Sequence, residues 1–179
     1  MARKVLFLDR DGTIIVDYPY SADPEKLQFL PTVITSLKKA VHAGFDCIIV
    51  TNQSGIERGL ITESDFWVCQ NKLVHLLAAK HVPILDTFFC PHNSTAGNSD
   101  RYMNLCACRK PQPGLLKAAI RKYGIDSESS YMIGDKVSDV IAGQRAGVTG
   151  LFLGDSTADD LPPKTPCFST FGAAIDAVL

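Results

Sequence analysis

The chain has 179 residues, of which 46% are hydrophobic and 21% are charged, the balance of a single globular domain. Its 18 lysines and arginines against 19 acidic residues give a net charge of −1, and no basic stretch exceeds a few residues, so nothing in the charge pattern indicates a surface for nucleic acid. No segment approaches the roughly 20 apolar residues that cross a bilayer, and the N-terminus lacks the longer apolar stretch of a secretory signal. We therefore expect one domain over residues 1–179, a cytoplasmic monomer with no membrane or nucleic-acid partner.

Short apolar runs that stop at polar residues alternate with helical patterns along the first half of the chain. Residues 4–8 and 45–50 have the composition of strands buried on both faces. Between these runs, apolar residues recur at helical spacing, and Gly44 stands where a helix would end. A second helix is predicted to begin at Thr62, with Asp65 three residues further on.

The alternation continues to the C-terminus. We predict further strands at 87–89, 131–133 and 151–153 and further helices at 114–123, 137–146 and 172–179. This order predicts an α/β fold, a three-layer, doubly wound parallel sheet in which ligands bind beyond the carboxyl ends of the strands. The segment 14–30 is too short for a large cap domain, residues 93–105 form a polar insertion, and residues 155–166 form an exposed loop.

Two carboxylates, Asp9 and Asp11, follow the first predicted strand at once. In an extended chain, residues two apart point to the same side. Such a pair suits phosphate-ester cleavage, with one carboxylate attacking phosphorus and the other transferring protons. Gly12 lets the chain turn sharply, and Asp135, after another predicted strand, completes an oxygen site for Mg2+. A surface turn or a calcium loop is the alternative, but either one leaves the second acidic cluster unexplained.

The order of these motifs, Asp9-x-Asp11-Gly12-Thr13, Thr51, Lys110 and Gly134-Asp135-x-x-x-Asp139, resembles that of the haloacid dehalogenase (HAD) superfamily of phosphatases. The resemblance implies Mg2+-dependent removal of phosphate from a small phosphorylated metabolite through an aspartyl-phosphate. Asp9 would be the nucleophile and Asp11 the general acid and base. The resemblance also implies that Thr51 and Lys110 bind the phosphoryl group, that Asp9, the Asp11 carbonyl and Asp135 hold Mg2+, and that Gly12, Thr13 and Asp139 support the site.

A second constellation consists of three cysteines and one histidine: Cys90, His92, Cys106 and Cys108. Thiolates and imidazole are zinc ligands, and four protein ligands fill a tetrahedral site, so this zinc would be structural. In a reducing compartment cysteines are more often free or metal-bound than paired. The polar insertion has few apolar groups to fold around, so a metal would order a loop over about residues 90–108. Unrelated cysteines are the alternative.

This loop, with residues 51–55 and Cys108-Arg109-Lys110-Pro111, is similar to two related families, the D-glycero-D-manno-heptose 1,7-bisphosphate 7-phosphatases and the histidinol phosphatases. The long insertion favours the heptose family, which implies removal of the C7 phosphate in the synthesis of nucleotide-activated heptose for lipopolysaccharide. It also implies substrate contacts at Asp17, Tyr18, Pro19, Tyr20, Asn52, Gln53, Ser54, Gly55, Arg109 and Lys136. Among these, Arg109 suits bidentate binding of a second phosphate.

Three other functions stay open on the sequence alone. One is a histidinol-phosphate phosphatase. Another is a polynucleotide 3′-phosphatase, which the neutral charge and the lack of a basic groove disfavour. The third is an inactive, zinc-stabilised binding module, which we would expect to have lost Asp9, Asp11 or Asp135; the chain has all three.

Overall fold

The computed structural model describes residues 3–93 and 106–179, so most of the predicted polar insertion lies outside the described residues. The centre of the molecule is a six-stranded sheet in the order β3-β2-β1-β4-β5-β6. Every pair of neighbouring strands is parallel. The strands are β1 (Val5–Leu8), β2 (Asp46–Asn52), β3 (Ile84–Cys90), β4 (Tyr131–Gly134), β5 (Thr149–Leu153) and β6 (Cys167–Phe168).

Helices cover both faces of this sheet. They are α1 (Val33–His42), α2 (Glu63–Ala79), α3 (Gly114–Tyr123), α4 (Val137–Arg145) and α5 (Phe171–Asp176). The side chains of β1 alternate between two cores: Leu6 and Leu8 pack with α1, α2 and α5, whereas Val5 and Phe7 pack with α3 and α4. A strand that is buried on both faces needs apolar residues at every position, which is why β1 is a continuous apolar run.

These three layers confirm the predicted α/β fold. The absence of a large cap is also consistent with the described residues, because the segment 14–30 contains one short 3-10 turn, Pro24–Lys26. Within the described ranges, no helix is long and apolar enough to cross a membrane.

The helix ends follow the local sequence signals. At the start of α2, the Thr62 hydroxyl accepts a hydrogen bond from the Asp65 amide at 3.0 Å, and the Asp65 carboxylate accepts one from the Thr62 amide at 3.0 Å. This reciprocal pair satisfies amide groups that have no partner inside the helix. Gly44 and Gly124 follow α1 and α3 with φ angles of 86° and 61°, a conformation that glycine adopts without steric cost.

The structure differs most from the predicted elements in three places, whereas the bounds of the other elements shift by at most two residues. β3 begins at Ile84 rather than at residue 87, and its half-buried edge position tolerates polar residues that interrupt the apolar pattern. β6 is absent from the prediction because two residues are too few to show a period of two. α5 ends at Asp176 rather than at residue 179.

The carboxyl ends of four neighbouring strands lie along one edge of the sheet. β1 is followed by Asp9, β2 ends at Asn52, β3 ends at Cys90, and β4 is followed by Asp135. Because all of these strands are parallel, the polar groups after them converge at one place. The fold therefore brings together motifs that are up to about 130 residues apart in the sequence.

Candidate active site

A buried lysine ammonium forms the centre of the site. Lys110 Nζ lies 2.6 Å from Asp9 Oδ1 and 2.6 Å from Asp139 Oδ1, and it donates a hydrogen bond to the Val50 carbonyl at 2.8 Å. All three charged residues are buried. Burial alone would lower the pKa of Lys110, but the charges of Asp139 and Asp9 more than offset it and raise the pKa. The lysine is therefore held as a cation beside the predicted nucleophile.

The backbone of Lys110 is held by the side chain of Asn52. The Lys110 amide donates to Asn52 Oδ1, and Asn52 Nδ2 donates to the Lys110 carbonyl, both at 3.1 Å. Arg145 on α4 also donates to the Pro111 carbonyl at 3.1 Å. Asn52 lines the cleft as predicted for a substrate contact, yet both polar ends of its amide contact the Lys110 backbone. Its observed role is to fix the loop that carries the cation.

A second carboxylate group lies beside Asp9. Oxygen atoms of Asp9, Asp135 and Asp139 all lie within 4.8 Å of one another. The Thr13 hydroxyl donates to Asp135 Oδ1 at 3.1 Å and accepts from the Asp135 amide at 3.2 Å. Gly12 has φ 82°, and a Cβ there would lie 2.4 Å from Asp135 Oδ2. Only glycine fits at this turn because of that close approach.

The residues present fit a hard divalent cation between Asp9 and Asp135. Burial and the charge of Asp9 both raise the pKa of Asp135, because each disfavours its ionised form. A bound cation would favour the ionised form of Asp135 and so lower its pKa, and Mg2+ takes oxygen ligands of this kind. Asp139 is less available, because one of its oxygens contacts Lys110 and the other accepts the Lys136 amide at 3.0 Å. This geometry fits the supporting role expected of Asp139.

Asp11 contacts a different set of groups from Asp9. Arg10 Nε lies 3.1 and 3.0 Å from the two oxygens of Asp11, and one terminal nitrogen of Arg10 lies 2.9 Å from Oδ1. Arg10 is 3% exposed and its guanidinium carbon lies 5.5 Å from the centroid of the Phe66 ring. A bidentate guanidinium contact of this kind fixes the orientation of a carboxylate. This contact could not be predicted from the sequence, since Arg10 has no periodic or motif signal of its own.

Gln53 links Asp11 to Thr51. Its Nε2 atom donates to Asp11 Oδ2 and to the Thr51 hydroxyl, both at 2.9 Å. Thr51 is 1% exposed and Gln53 is 7% exposed. The predicted catalytic residues Asp11 and Thr51 therefore belong to one hydrogen-bonded network.

A cleft of about 990 Å3 extends from this site to the surface. Asp11 and Lys110 line it, and Lys136 Nζ lies 3.8 Å from Asp17 at its exposed rim. All of the predicted substrate contacts line the same cleft: Asp17, Tyr18, Pro19, Tyr20, Asn52, Gln53, Ser54, Gly55, Arg109 and Lys136. The fold thus brings together, in one cleft, substrate contacts that were predicted in four separate parts of the sequence.

Several residues that line the cleft were missed by sequence reasoning. These residues are Arg10, Ser21, Ile61, Asn93, Gln112 and Ser138. Gln112 stands two residues after Lys110 and Ser138 directly precedes Asp139, so proximity in the chain could have identified them. No local pattern marks Ile61 or Asn93, which reach the cleft through the tertiary fold.

The three cysteines and His92 lie together beside the cleft. The Sγ atoms and the His92 Nδ1 atom are separated by 2.9 to 3.5 Å in all six pairs. All three cysteines are free thiols. Three Sγ atoms and one imidazole nitrogen brought together in this way are the donor set of a structural zinc site. The site is therefore compatible with the predicted metal, and His92 would bind through Nδ1.

This cluster is joined directly to the residues that line the cleft. The Arg109 amide donates to Cys106 Sγ at 3.3 Å, and the Arg109 guanidinium donates to the His92 carbonyl at 2.9 Å. The Gly114 amide donates to the Ala107 carbonyl at 2.9 Å, and a Cβ on Gly114 would lie only 2.1 Å from that oxygen. The turn that carries Arg109 and Lys110 is thus packed tightly between the cluster and the start of α3.

Known proteins resemble this chain over most of its length. A family model described as HAD-hydrolase-like matches residues 107–168. A D-glycero-alpha-D-manno-heptose-1,7-bisphosphate 7-phosphatase of Photorhabdus laumondii is 42% identical over 84% of this chain and 81% of its own. A D-glycero-beta-D-manno-heptose-1,7-bisphosphate 7-phosphatase of Pasteurella multocida is 38% identical over 84% of this chain and 81% of its own.

Solved structures give the same result. A D,D-heptose 1,7-bisphosphate phosphatase of B. bronchiseptica, complexed with magnesium and phosphate, has a TM-score of 0.84 and 26% identity, over 98% of this chain and 97% of that one. The resemblance to HAD phosphatases is confirmed by these relatives. The long match to the curated relatives, at about 40% identity, shows that the chain belongs to the D-glycero-D-manno-heptose 1,7-bisphosphate 7-phosphatase family of HAD-like phosphatases.

Proposed function

We propose that this protein hydrolyses the C7 phosphate of D-glycero-D-manno-heptose 1,7-bisphosphate, a step in the synthesis of nucleotide-activated heptose for lipopolysaccharide. The observation that carries the proposal is the contact between the Asp9 carboxylate and the buried Lys110 ammonium, at the inner end of a cleft large enough for a sugar bisphosphate. Family membership supplies the substrate. The curated relatives carry the names of both anomers, so either anomer is a substrate to test.

The proposed reaction has two steps. In the first, an Asp9 oxygen attacks phosphorus, the bond between phosphorus and the sugar oxygen breaks, and Asp11 gives a proton to the departing alkoxide. In the second, Asp11 takes a proton from water, the water oxygen attacks the aspartyl-phosphate, and Asp9 leaves as a carboxylate. Lys110 and the Thr51 hydroxyl would bind the equatorial oxygens of the phosphoryl group, where negative charge is concentrated.

Mg2+ would be held by Asp9, Asp135 and the Asp11 carbonyl. Its chemistry there is charge neutralisation, which lets an anionic phosphate approach an anionic nucleophile. Asp139 would act through Lys110, and Gly12 and Thr13 through Asp135, because those are the groups that they contact.

Arg10 and Gln53 would control where the Asp11 carboxylate points. In this structure both hold Asp11 by hydrogen bonds. Contacts of this kind fix the orientation of a carboxylate, as the second step requires of a base. Proton donation in the first step would then require Asp11 to turn from Arg10 towards the substrate oxygen.

Zinc would be a structural metal held by Cys90, His92, Cys106 and Cys108. Its proposed role is to keep Arg109 and Lys110 in position through the contacts of Cys106 and His92 with Arg109. Arg109 and Lys136 would bind the phosphate that is not cleaved, since both are cationic and line the outer part of the cleft.

A histidinol-phosphate phosphatase is the second candidate, because the same four-ligand cluster accompanies both families. The cations Arg109 and Lys136 favour the heptose substrate, because histidinol phosphate has only one phosphate and leaves no second phosphate for them to bind.

We further propose that residues 1–179 act as one domain, as a monomer in the cytoplasm, without nucleic acid or membrane. A reducing compartment would keep the cluster thiols available for zinc.

Phosphate release from heptose bisphosphate, histidinol phosphate and fructose bisphosphate tests this function. We expect the highest kcat/KM with heptose bisphosphate, and loss of more than about a thousandfold in Asp9→Asn, which keeps the shape but removes the attacking carboxylate. Asp46→Asn, at the opposite end of β2 from the site, is the control and should behave as the parent. Preference for histidinol phosphate, or near-parental turnover by Asp9→Asn, would contradict the proposal.

Asp11→Asn separates proton transfer from nucleophilic attack. An aryl phosphate has a good leaving group that departs without a proton, whereas a sugar alkoxide needs one. We expect the loss of kcat/KM to be at least about tenfold larger for the sugar bisphosphate than for the aryl phosphate. If both substrates lose activity equally, Asp11 is not the acid.

Cys106→Ser tests the structural metal. The parent should contain about one zinc per chain that survives dialysis against magnesium. The variant should lose zinc and show a higher KM for the bisphosphate, with an unchanged dependence on Mg2+, because the carboxylates lie on other strands. Cys167→Ser, outside the cluster, is the matched control. Full zinc content with parental kinetics in Cys106→Ser would rule out the assignment.

A further inference from the structure

Three segments of the chain border the cleft and contact one another. They are the segment 14–30, the turn 54–61 that follows β2, and residues 91–93 that lead from β3 into the Cys/His cluster. The side chain of Arg58, in the turn, contacts the other two segments. Arg58 itself is not among the residues that line the cleft.

We propose that Arg58 is a positioning residue that holds Tyr20 in place as one wall of the substrate cleft and joins that wall to the Cys/His cluster through Asn93. The substrate in this inference is that of the proposed function, whereas the positioning role rests on the contacts of Arg58. Arg58 is therefore expected to set substrate affinity without contacting the reacting phosphate.

Tyr20 is held in a conformation that needs support. Its φ angle is 54°, in the left-handed region that a bulky residue rarely adopts. A Cβ on Gly55 would lie 3.1 Å from the Tyr20 ring, so glycine at this position makes room for the ring. Arg58 donates to the Tyr20 hydroxyl at 2.8 Å, and its guanidinium carbon lies 5.2 Å from the ring centroid. Packing and a charge-assisted hydrogen bond thus act on the same ring.

The second terminal nitrogen of the Arg58 guanidinium contacts residues 91–93, which lead into the Cys/His cluster. It donates to Asn93 Oδ1 at 3.1 Å, and Asn93 is 5% exposed. The Asn93 amide donates to the carboxylate of Glu57, and the Glu57 amide donates to the Pro91 carbonyl at 3.3 Å. Asn93 follows His92 directly, so these bonds attach the turn to the backbone of a cluster ligand.

The turn that carries Arg58 is itself well fixed. The Gln53 amide donates to the Cys90 carbonyl at 2.7 Å, the Arg58 amide donates to the Ser54 carbonyl at 3.2 Å, and the Leu60 amide donates to the Gly55 carbonyl at 2.9 Å. A guanidinium with several donors in one plane can hold two acceptors at once, which a single ammonium cannot do in the same geometry. Arg58 therefore fixes the position of Tyr20 relative to residues 91–93.

The experiment compares Arg58→Met, Arg58→Lys, Tyr20→Phe and the double variant Arg58→Met/Tyr20→Phe, with Arg121→Met on the exposed side of α3 as control. For the bisphosphate, Arg58→Met should raise KM about tenfold and change kcat much less, because the Tyr20 wall loses the charge-assisted hydrogen bond that holds it. Arg58→Lys should recover part of the loss. The double variant should be little worse than Arg58→Met, because both changes break the same contact. An equal fall in kcat for the bisphosphate and an aryl phosphate, or additive effects, would overturn the proposal.

Amide hydrogen exchange supplies a measurement that needs no substrate. The Ser21 amide donates to the Tyr18 carbonyl at 3.0 Å, so a peptide over residues 17–23 reports the order of the wall. Exchange there should be faster in Arg58→Met than in the parent and in Arg121→Met. Unchanged exchange would overturn the positioning role. This result stands even where the parent fails to hydrolyse heptose bisphosphate, so failure of the proposed function is distinguishable from failure of the inference.

Discussion

The buried Lys110 ammonium, in contact with Asp9 and Asp139, is the constraint on which the rest of the site depends. A charge out of water is stable only where opposite charges and hydrogen bonds are placed around it with good geometry. Three parts of the chain provide these groups: Asp9 follows β1, Asp139 lies at the start of α4, and Lys110 lies in the loop after the Cys/His cluster. Asn52 at the end of β2 completes this arrangement by holding the Lys110 backbone. Four elements are thus fixed by one cation.

The charge balance around this cation explains why the proposed chemistry needs a metal. Three carboxylates, Asp9, Asp135 and Asp139, lie together with one ammonium, so the local field is negative. Burial would lower the pKa of Lys136, but Asp135 and the other nearby carboxylates raise it. A phosphate group approaching this region is repelled unless a divalent cation supplies positive charge. The proposed zinc has a separate task, because its ligands contact the loop backbone and not the carboxylates.

The sequence was sufficient to predict that the residues of the candidate site lie together, but not to describe the contacts among them. Apolar runs that end in Asp9 and Asp135 predict strand ends, and parallel strands bring such ends together, so the carboxylates could be placed beforehand. The contacts of Arg10, Arg58 and Asn52 could not, because each joins a side chain to a group that shares no periodic pattern with it. Arg58 and Tyr20 are 38 residues apart, and Asn52 contacts backbone rather than a side chain. β6 escaped detection because two residues carry no periodicity.

A double-mutant cycle between Lys110 and Asp139 tests the central claim, that the cation holds the carboxylates together. The free energy of unfolding is measured by urea in magnesium-free buffer for the parent, Lys110→Met, Asp139→Asn and the double variant. We predict that Asp139→Asn destabilises the parent by about 1 to 3 kcal/mol, but is neutral or stabilising in Lys110→Met, where it removes one of three mutually repelling carboxylates. An equal loss of stability in both backgrounds would contradict the account.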